Sequence, residues 1–349
     1  MDQTEALIIE TIDRHREEIL EFARDIYSHA ELGYKEFQTS GKFVKKMEQL
    51  GLRTEKGFAI TGVKAYLNED KKENASLALL GELDALRIPE HAFANPETNA
   101  AHCCGHHAQM AGVFGAALAL TVPEIAEKLD GQVVFFATPA EEYGEIEFKN
   151  QLREQGKIRY GGGKCELLRI GAFDDIDLCL THHIRPGNEI LVGSGTGNGF
   201  VSKVIRVLGK ASHAAGAPEK GVNALSAASL GLQALGLNRE TFRDEDCVRV
   251  HPIITKGGNL VNVIPDEVVV ETLVRGKTIE AFTDAAKKTD RSFKAGAIAM
   301  GAKVEISTLP GYLPTLAEEA LPELKHAAEI SASGIPVIEA SGHAGGSTD

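Results

Sequence analysis

With 349 residues the chain exceeds the size at which one hydrophobic core usually stops growing, so two domains are expected. Fifty acidic residues against 37 basic ones give a net charge of −13, which argues against nucleic acid or an anionic membrane as partner. Apolar residues at 43% and charged residues at 25% are ordinary proportions for a globular protein, with no compositional sign of disorder.

No apolar run approaches the roughly 18–20 residues that cross a bilayer. Asp2, Glu5 and Glu10 stand where a signal peptide would carry basic residues ahead of an apolar stretch. The cysteines, Cys103, Cys104, Cys165, Cys179 and Cys247, are odd in number and scattered, which suits reduced thiols better than a disulfide framework. A cytoplasmic location is the expectation.

In chain order, Glu5–Ala30 repeats apolar residues at helical spacing (Leu7, Ile8, Ile12, Ile19, Leu20, Phe22, Ile26) and predicts one amphipathic helix. A second helix is expected over Thr39–Leu50, ending at Gly51. Ser76–Leu83 and Gln132–Thr138 are short, almost continuously apolar runs, and Asp177–Thr181 is a shorter one. Such runs suit strands buried on both faces, with the Ala- and Leu-rich stretch Ala108–Leu120 as an intervening helix. Strands alternating with helices predict an α/β fold, a mostly parallel sheet with helices on both faces.

After Pro186 the pattern changes. From about Phe200 to Glu305 it reads strand, helix, strand, strand, helix, strand, the order of the split βαβ (ferredoxin-like) sandwich. Leu309–Asp349 is too short to fold alone and is expected to return to the first domain. The expected organisation is a discontinuous domain of residues 1–190 and 309–349, with residues 191–308 inserted.

Metal-competent residue types gather at three places, each just beyond a predicted strand or in the loop that follows one, where open α/β sheets bind ligands. His102-Cys103-Cys104-Gly105-His106-His107 offers thiolate and imidazole, suited to zinc and similar metals. By itself this cluster does not distinguish a structural site from a catalytic one. Thr138-Pro139-Ala140-Glu141-Glu142 places two carboxylates where a strand ends, so one can ligate while its neighbour accepts a proton from water. Thr181-His182-His183-Ile184-Arg185-Pro186 adds an imidazole pair. Together they describe a hydrolase site.

The segments GELDAL (Gly81–Leu86), HCCGHH (His102–His107), TPAEE (Thr138–Glu142) and HIRP (His183–Pro186) resemble those of the M20 metallopeptidases. The likeness is to the branch of N-acyl-amino-acid, indole-acetyl-amino-acid and aminobenzoyl-glutamate hydrolases. It extends through IYSHAELGYKEFQTS, GKASHAAGAPEKGVNAL, NLVNVIPDEVVVETLVRG and the final GGSTD, in matching order. The resemblance implies a hydrolase of amide bonds in N-acyl or N-aroyl amino acids or dipeptides, using zinc or manganese, up to two ions.

It further implies that Cys104 bridges the two ions, His106 and His183 ligate one and Glu142 the other. Glu141 would be the general base, Asp84 the carboxylate that orients a ligand imidazole, and His213 the donor to the oxyanion, often across a dimer interface. Asn262 and Arg275 would hold the substrate's carboxylate, and the inserted domain would serve as lid and dimerisation domain of a homodimer. Two departures stand out: His107 replaces the branch's Asp or Asn, and the resemblance predicts a further metal-ligating histidine beyond GGSTD. The expectation is therefore a C-terminally truncated member with an incomplete second metal site, for which His343 is a weak substitute. The alternative is a non-catalytic or impaired homologue that binds only a carboxylate or one metal.

Overall fold

The computed structural model describes residues 1–349. Helix α1 (Gln3–Arg14) starts at a reciprocal cap: Asp2 accepts from the Glu5 N–H while Glu5 accepts from the Asp2 N–H. The single helix expected over Glu5–Ala30 is two, because His15 leaves helical geometry (φ −96°, ψ 13°) and α2 (Arg16–Ser28) restarts there. The apolar positions keep their period across the break, so the pattern could not register it. Helix α3 (Phe37–Gln49) follows, and Gly51 beyond it takes φ +78°.

Strands β1 (Arg53–Phe58), β2 (Gly62–Leu67), β3 (Ser76–Glu82), β4 (Gln132–Thr138) and β5 (Leu178–Thr181) form one sheet in the order β1-β2-β4-β3-β5. The sheet is mixed where a mostly parallel one was expected. β3 runs parallel to both β4 and β5, whereas β1–β2 and β2–β4 are antiparallel. Only three residues, Ala59–Thr61, separate the ends of β1 and β2, which is hairpin length and too short for a crossover. The parallel part is the one that carries the site.

Every residue of β4 is buried. Phe135 packs with Phe22, Phe43 and Phe114 from α2, α3 and α4 (His106–Leu120) on one face. Phe136 packs with Tyr34, with Leu152 of α5 (Ile146–Glu154) and with Leu167 of α6 (Gly163–Arg169) on the other. Two aromatic side chains of one strand thus anchor helices on both faces, which explains why this strand is continuously apolar.

Helix α6 begins hard against the turn that follows β4. A Cβ at Gly163 would lie 1.6 Å from the Pro139 carbonyl oxygen, a backbone atom that cannot swing away. Gly163→Ala is therefore expected to lower unfolding free energy by about 1–3 kcal/mol, measured by urea denaturation. An unchanged midpoint would show that the turn is free to move.

A second sheet follows. Strands β6 (Gly199–Leu208), β7 (Arg249–Val250), β8 (Ile253–Lys256), β9 (Glu267–Gly276) and β10 (Lys303–Pro310) run antiparallel in the order β7-β9-β6-β10, with β8 also on β9. The second of the strands expected in this unit is split at His251–Pro252, since proline has no N–H to give the ladder. Helices α7 (Ala224–Asn238) and α8 (Ile279–Ala299) cover one face and touch through small residues. A Cβ at Gly296 would lie 2.4 Å from the Ala227 carbonyl oxygen. The order is that of the split βαβ unit.

The other face of this sheet rests on the first body: Phe200, Val204, Val269 and Leu309 pack with Tyr143, Ile146 and Tyr312. Arg206 of β6 adds an ion pair to Glu147 of α5 at 2.6 Å. Beyond β10 the chain leaves the second sheet. Its helix α9 (Pro322–Ser331) meets α1 through His326 and Glu5, and Val337–Glu339 pairs in parallel with Ile190–Val192. No helix is long and apolar enough to cross a membrane.

Candidate metal centre

Parallel β3, β4 and β5 end at the same edge of the first sheet, and the three motif segments leave from those ends or, for Cys104–His106, from the loop before α4. Asp84 lies two residues beyond β3 and is fully buried. Gly105 (φ +90°) turns the chain into α4 so that Cys104 precedes the helix and His106 is its first residue. A Cβ at Gly105 would press on Ile184 at 2.3 Å, so the close approach of these two loops depends on that glycine. Ala140 takes the left-handed φ of +49° ahead of Glu141 and Glu142. His183 follows β5.

The loops converge. The Cys104 Sγ lies 3.4 Å from His183 Nε2, and Cys104, His106 and His183 offer ligand atoms within 4.8 Å of one another. His106, Glu141 and Glu142 form a second such group. His106 Nδ1 lies 2.9 Å from the Asp84 carbonyl oxygen, which can only accept, so that nitrogen carries a proton and Nε2 is the one a metal would take in exchange for its proton. His183 is fixed the same way, Nδ1 lying 2.7 Å from the Ile184 carbonyl oxygen. In its neutral form each ring would leave the Nε2 lone pair for a metal; without an ion, His183 Nε2 meets the Cys104 thiol. Asp84 Oδ2 also accepts the Glu142 N–H at 2.8 Å, so this one residue braces an imidazole through its backbone carbonyl and the acidic pair through its carboxylate.

Electrostatics reinforces the geometry. Hydrogen bonds from His106 and His183 lower the Cys104 thiol to about 6, favouring thiolate. Burial works against charge on His106, yet its bonds to Asp84 and Cys104 prevail and raise it to about 12. Burial, then the neighbouring Glu82, raises Glu141 to about 7; burial, then Glu141, raises Glu142 to about 9. Glu142 Oε1, Asp84 Oδ1, Glu82 Oε2 and His106 Nε2 are buried without any hydrogen-bond partner. Unpartnered buried acceptors crowded with carboxylates are costly unless a cation joins them, so the donor set fits a divalent ion.

A cavity of about 620 Å³ opens over this point, lined among others by Cys104, Glu141, Glu142, His183, Arg185 and His343. His343 has both ring nitrogens engaged, Nδ1 with Thr196 Oγ1 at 2.9 Å and Nε2 with Asn198 Oδ1 at 3.1 Å. A second cavity of about 210 Å³ shares Glu141 and Glu142 and adds Arg275, Tyr312 and Ser347. Arg275 reaches it from β9, donating to Ser347 Oγ at 2.6 Å and stacking on Phe200.

His213 and Asn262 are not brought to this point. Both are exposed on the second sheet's side of the molecule, bound to one another through Ala214 N–H and the Asn262 carbonyl at 2.9 Å, and they line neither cavity. Several residues that hold the site gave no signal of their own in the sequence. Lys149, buried on α5, donates to the Glu142 carbonyl at 2.6 Å, and Glu36 accepts the Ala140 N–H at 2.8 Å. Tyr312 donates to the Glu141 carbonyl. Lys164 pairs with Glu82 and Asp349, each at 2.6 Å. Glu82 alone was within reach of inference, since it sits two residues before Asp84 at the end of β3.

Comparison with known proteins fits these features. Residues 197–298 match the peptidase dimerisation domain of the M20 type. The chain is 29% identical over 306 residues to an Xaa-Arg dipeptidase of Mus musculus, covering 86% of this chain and 64% of that protein's length. An aminobenzoyl-glutamate utilization protein from Klebsiella pneumoniae superposes with a TM-score of 0.69 at 20% identity, covering 98% of this chain and 88% of the other. A dinuclear metal binding peptidase of the M20 family from Bacillus subtilis gives 0.59 at 24% identity, covering 96% and 84%. The two solved structures share the fold, and the dimerisation segment and the relatives agree with it: the chain is similar to members of the M20 family, and it spans under two thirds of the dipeptidase's length.

Proposed function

We infer that the chain is a metal-dependent hydrolase of amide bonds in N-acyl or N-aroyl amino acids or dipeptides, acting as a homodimer. The observation that carries this reading is the meeting of the Cys104 thiol, two imidazoles and the Glu141–Glu142 pair at one sheet edge. Cys104, His106, His183 and Glu142 are the proposed ligands of zinc or manganese, one ion or two with Cys104 shared. When bound, such an ion supplies Lewis-acid polarisation of the scissile carbonyl and acidifies water toward a pKa of about 7.

The chain's own residues do the rest. Glu141, buried and facing both cavities, takes a proton from the attacking water and returns it to the departing amine nitrogen. Asp84 keeps His106 in the tautomer that leaves Nε2 free. Arg275, whose forked guanidinium suits a carboxylate, holds the carboxylate beside the scissile bond. The names of the relatives, a dipeptidase and an aminobenzoyl-glutamate protein, support a substrate with an amino-acid half.

The second sheet is proposed as lid and dimerisation domain over residues 191–308, with residues 1–190 and 309–349 holding the metal. His213 Nδ1 accepts from the Ala215 and Gly216 N–H groups, so the neutral ring carries its proton on Nε2 and offers a donor to solvent. Beside it Leu260 and Val261 are exposed, Val261 completely, and Ile253 and Ile254 of β8 are exposed too. An apolar strip next to an outward-facing donor suits a second copy, to whose site His213 and Asn262 would be delivered. Val261→Asp is expected to shift the dimer toward monomer in sedimentation velocity; an unchanged sedimentation coefficient would place the interface elsewhere.

Purified chain supplied with Zn²⁺, Mn²⁺ or Co²⁺ is expected to release free amino acid from members of an N-acyl-amino-acid and dipeptide panel. Cleavage of none of them would contradict the reading. Within that assay Arg275→Met is expected to raise KM about tenfold or more with a smaller change in kcat, because it removes a charge-assisted contact made in the ground state. A fall in kcat alone would move Arg275 out of substrate binding.

A further inference from the structure

We infer that the cavity of about 210 Å³ beside Glu141 and Glu142 selects the amino-acid half of the substrate. It takes a carboxylate flanked by an apolar side chain, and Leu273 is the residue that sets this preference. The inference rests on the hydrolase reading above and deepens it by naming the substrate class.

Glu141 and Glu142 line both this cavity and the one of about 620 Å³, so a substrate cut beside them places one half in each. The two cavities differ in their cations. Arg185 lines the larger one, is exposed, and is already paired with Glu189 at 2.9 Å. Arg275 lines the smaller one, is partly buried, and donates to a neutral hydroxyl, Ser347 Oγ, at 2.6 Å. Burial draws its pKa down. A partly buried cation facing a neutral partner suits a carboxylate, which its fork can bind through two N–H groups.

The other walls of the small cavity offer apolar surface. Phe200 stands opposite Arg275 in the pairing of β6 with β9, its ring centre 5.1 Å from the guanidinium carbon. Leu273 precedes Arg275 by two residues on β9 and so shares its face of the sheet. It packs against the cluster that contains Phe200, Tyr143 and Tyr312, and Leu86 adds another aliphatic wall. The two tyrosines bring rings whose O–H groups are spent: Tyr143 donates to the Pro310 carbonyl at 2.6 Å and Tyr312 to the Glu141 carbonyl. An acidic side chain entering here would meet Glu141 and Glu142 with Arg275 already engaged. A neutral polar one would give up water without gaining a partner. An aliphatic or aromatic one gains from leaving water. The rival account is a charged side chain, acidic and drawn by Arg275 or basic and drawn by the two glutamates.

N-acetyl-L-leucine, N-acetyl-L-glutamate and N-acetyl-L-arginine separate these accounts. They are offered to the metal-loaded full chain for hydrolysis and titrated calorimetrically into the metal-free chain, where no turnover intervenes. The leucine derivative is expected to be favoured about tenfold or more in kcat/KM over each of the others. Leu273→Arg is expected to move the glutamate-to-leucine ratio of kcat/KM toward glutamate by about tenfold or more. Should that variant fail to fold, Leu273→Ala widens the cavity and is expected to raise the ratio for N-acetyl-L-phenylalanine over the leucine derivative severalfold. Equal or better hydrolysis of the glutamate or arginine derivative by the unaltered chain, or ratios unmoved by substitution at Leu273, would overturn the inference. A loaded chain that hydrolyses none of the three would contradict the hydrolase reading, and the titration alone would then decide the cavity. Preferential binding of the leucine derivative would sustain the assignment, and any other result would overturn it.

Discussion

Glu141→Gln is expected to lower kcat by about 10²–10⁴-fold while leaving metal content unchanged. Glutamine has nearly the same shape and retains an acceptor, but it cannot take a proton from water at neutral pH. The side chain is buried beside Glu82 and lies within 4.8 Å of His106 and Glu142. Its backbone carbonyl is held by Tyr312, and its neighbour's N–H and carbonyl by Asp84 and Lys149. The substitution therefore should leave the turn in place, and the loss should be in the chemical step. Steady-state kinetics together with metal analysis of the same preparation decides it. Loss of metal alongside activity would make Glu141 a ligand, and retained activity would remove it from catalysis.

Cys104→Ser is expected to weaken metal binding by more than about 100-fold, a larger effect than loss of an outer partner. The thiol is placed between His106 and His183, whose hydrogen bonds favour its thiolate form, and serine supplies no comparable anion. A second measurement follows from the same chemistry. In metal-free protein near pH 7 the half-buried Cys104 should react with iodoacetamide faster than Cys165, whose burial pushes its thiol up to about 12. Saturating Zn²⁺ should protect Cys104. Peptide mapping of the alkylated protein reports both, and equal labelling with and without the ion would contradict ligation by this thiol.

The two predictions draw on different parts of what could be read beforehand. The continuous apolar runs at Ser76–Glu82 and Gln132–Thr138 marked buried strands because burial on both faces leaves little room for polar residues. The hairpin of β1 and β2 was hidden, since neither strand alternates cleanly: β2 is buried at every position and β1 at none. The break at His15 and the split at His251–Pro252 depend on single residues inside otherwise regular patterns.

For the site, the clustered Cys, His and Glu residues announced themselves by chemistry and by position after strands. What supports them did not. Glu36, Lys164 and Tyr312 lie 104, 82 and 171 residues from the motif residues they hold, and an isolated charged or tyrosine residue, Lys149 included, carries no spacing signal. Burial alone reveals their role: each meets a backbone group or carboxylate that would otherwise be left unsatisfied. His213 and Asn262 illustrate the reverse case, residues singled out by resemblance that one chain leaves exposed and away from the cluster.

The most direct test of the convergence is anomalous diffraction from crystals of the chain grown with Zn²⁺. The account predicts a zinc peak about 2.3 Å from Cys104 Sγ and about 2.0–2.1 Å from the Nε2 atoms of His106 and His183. A zinc-saturated crystal with no peak between these side chains, or with its only peaks at other residues, would contradict it.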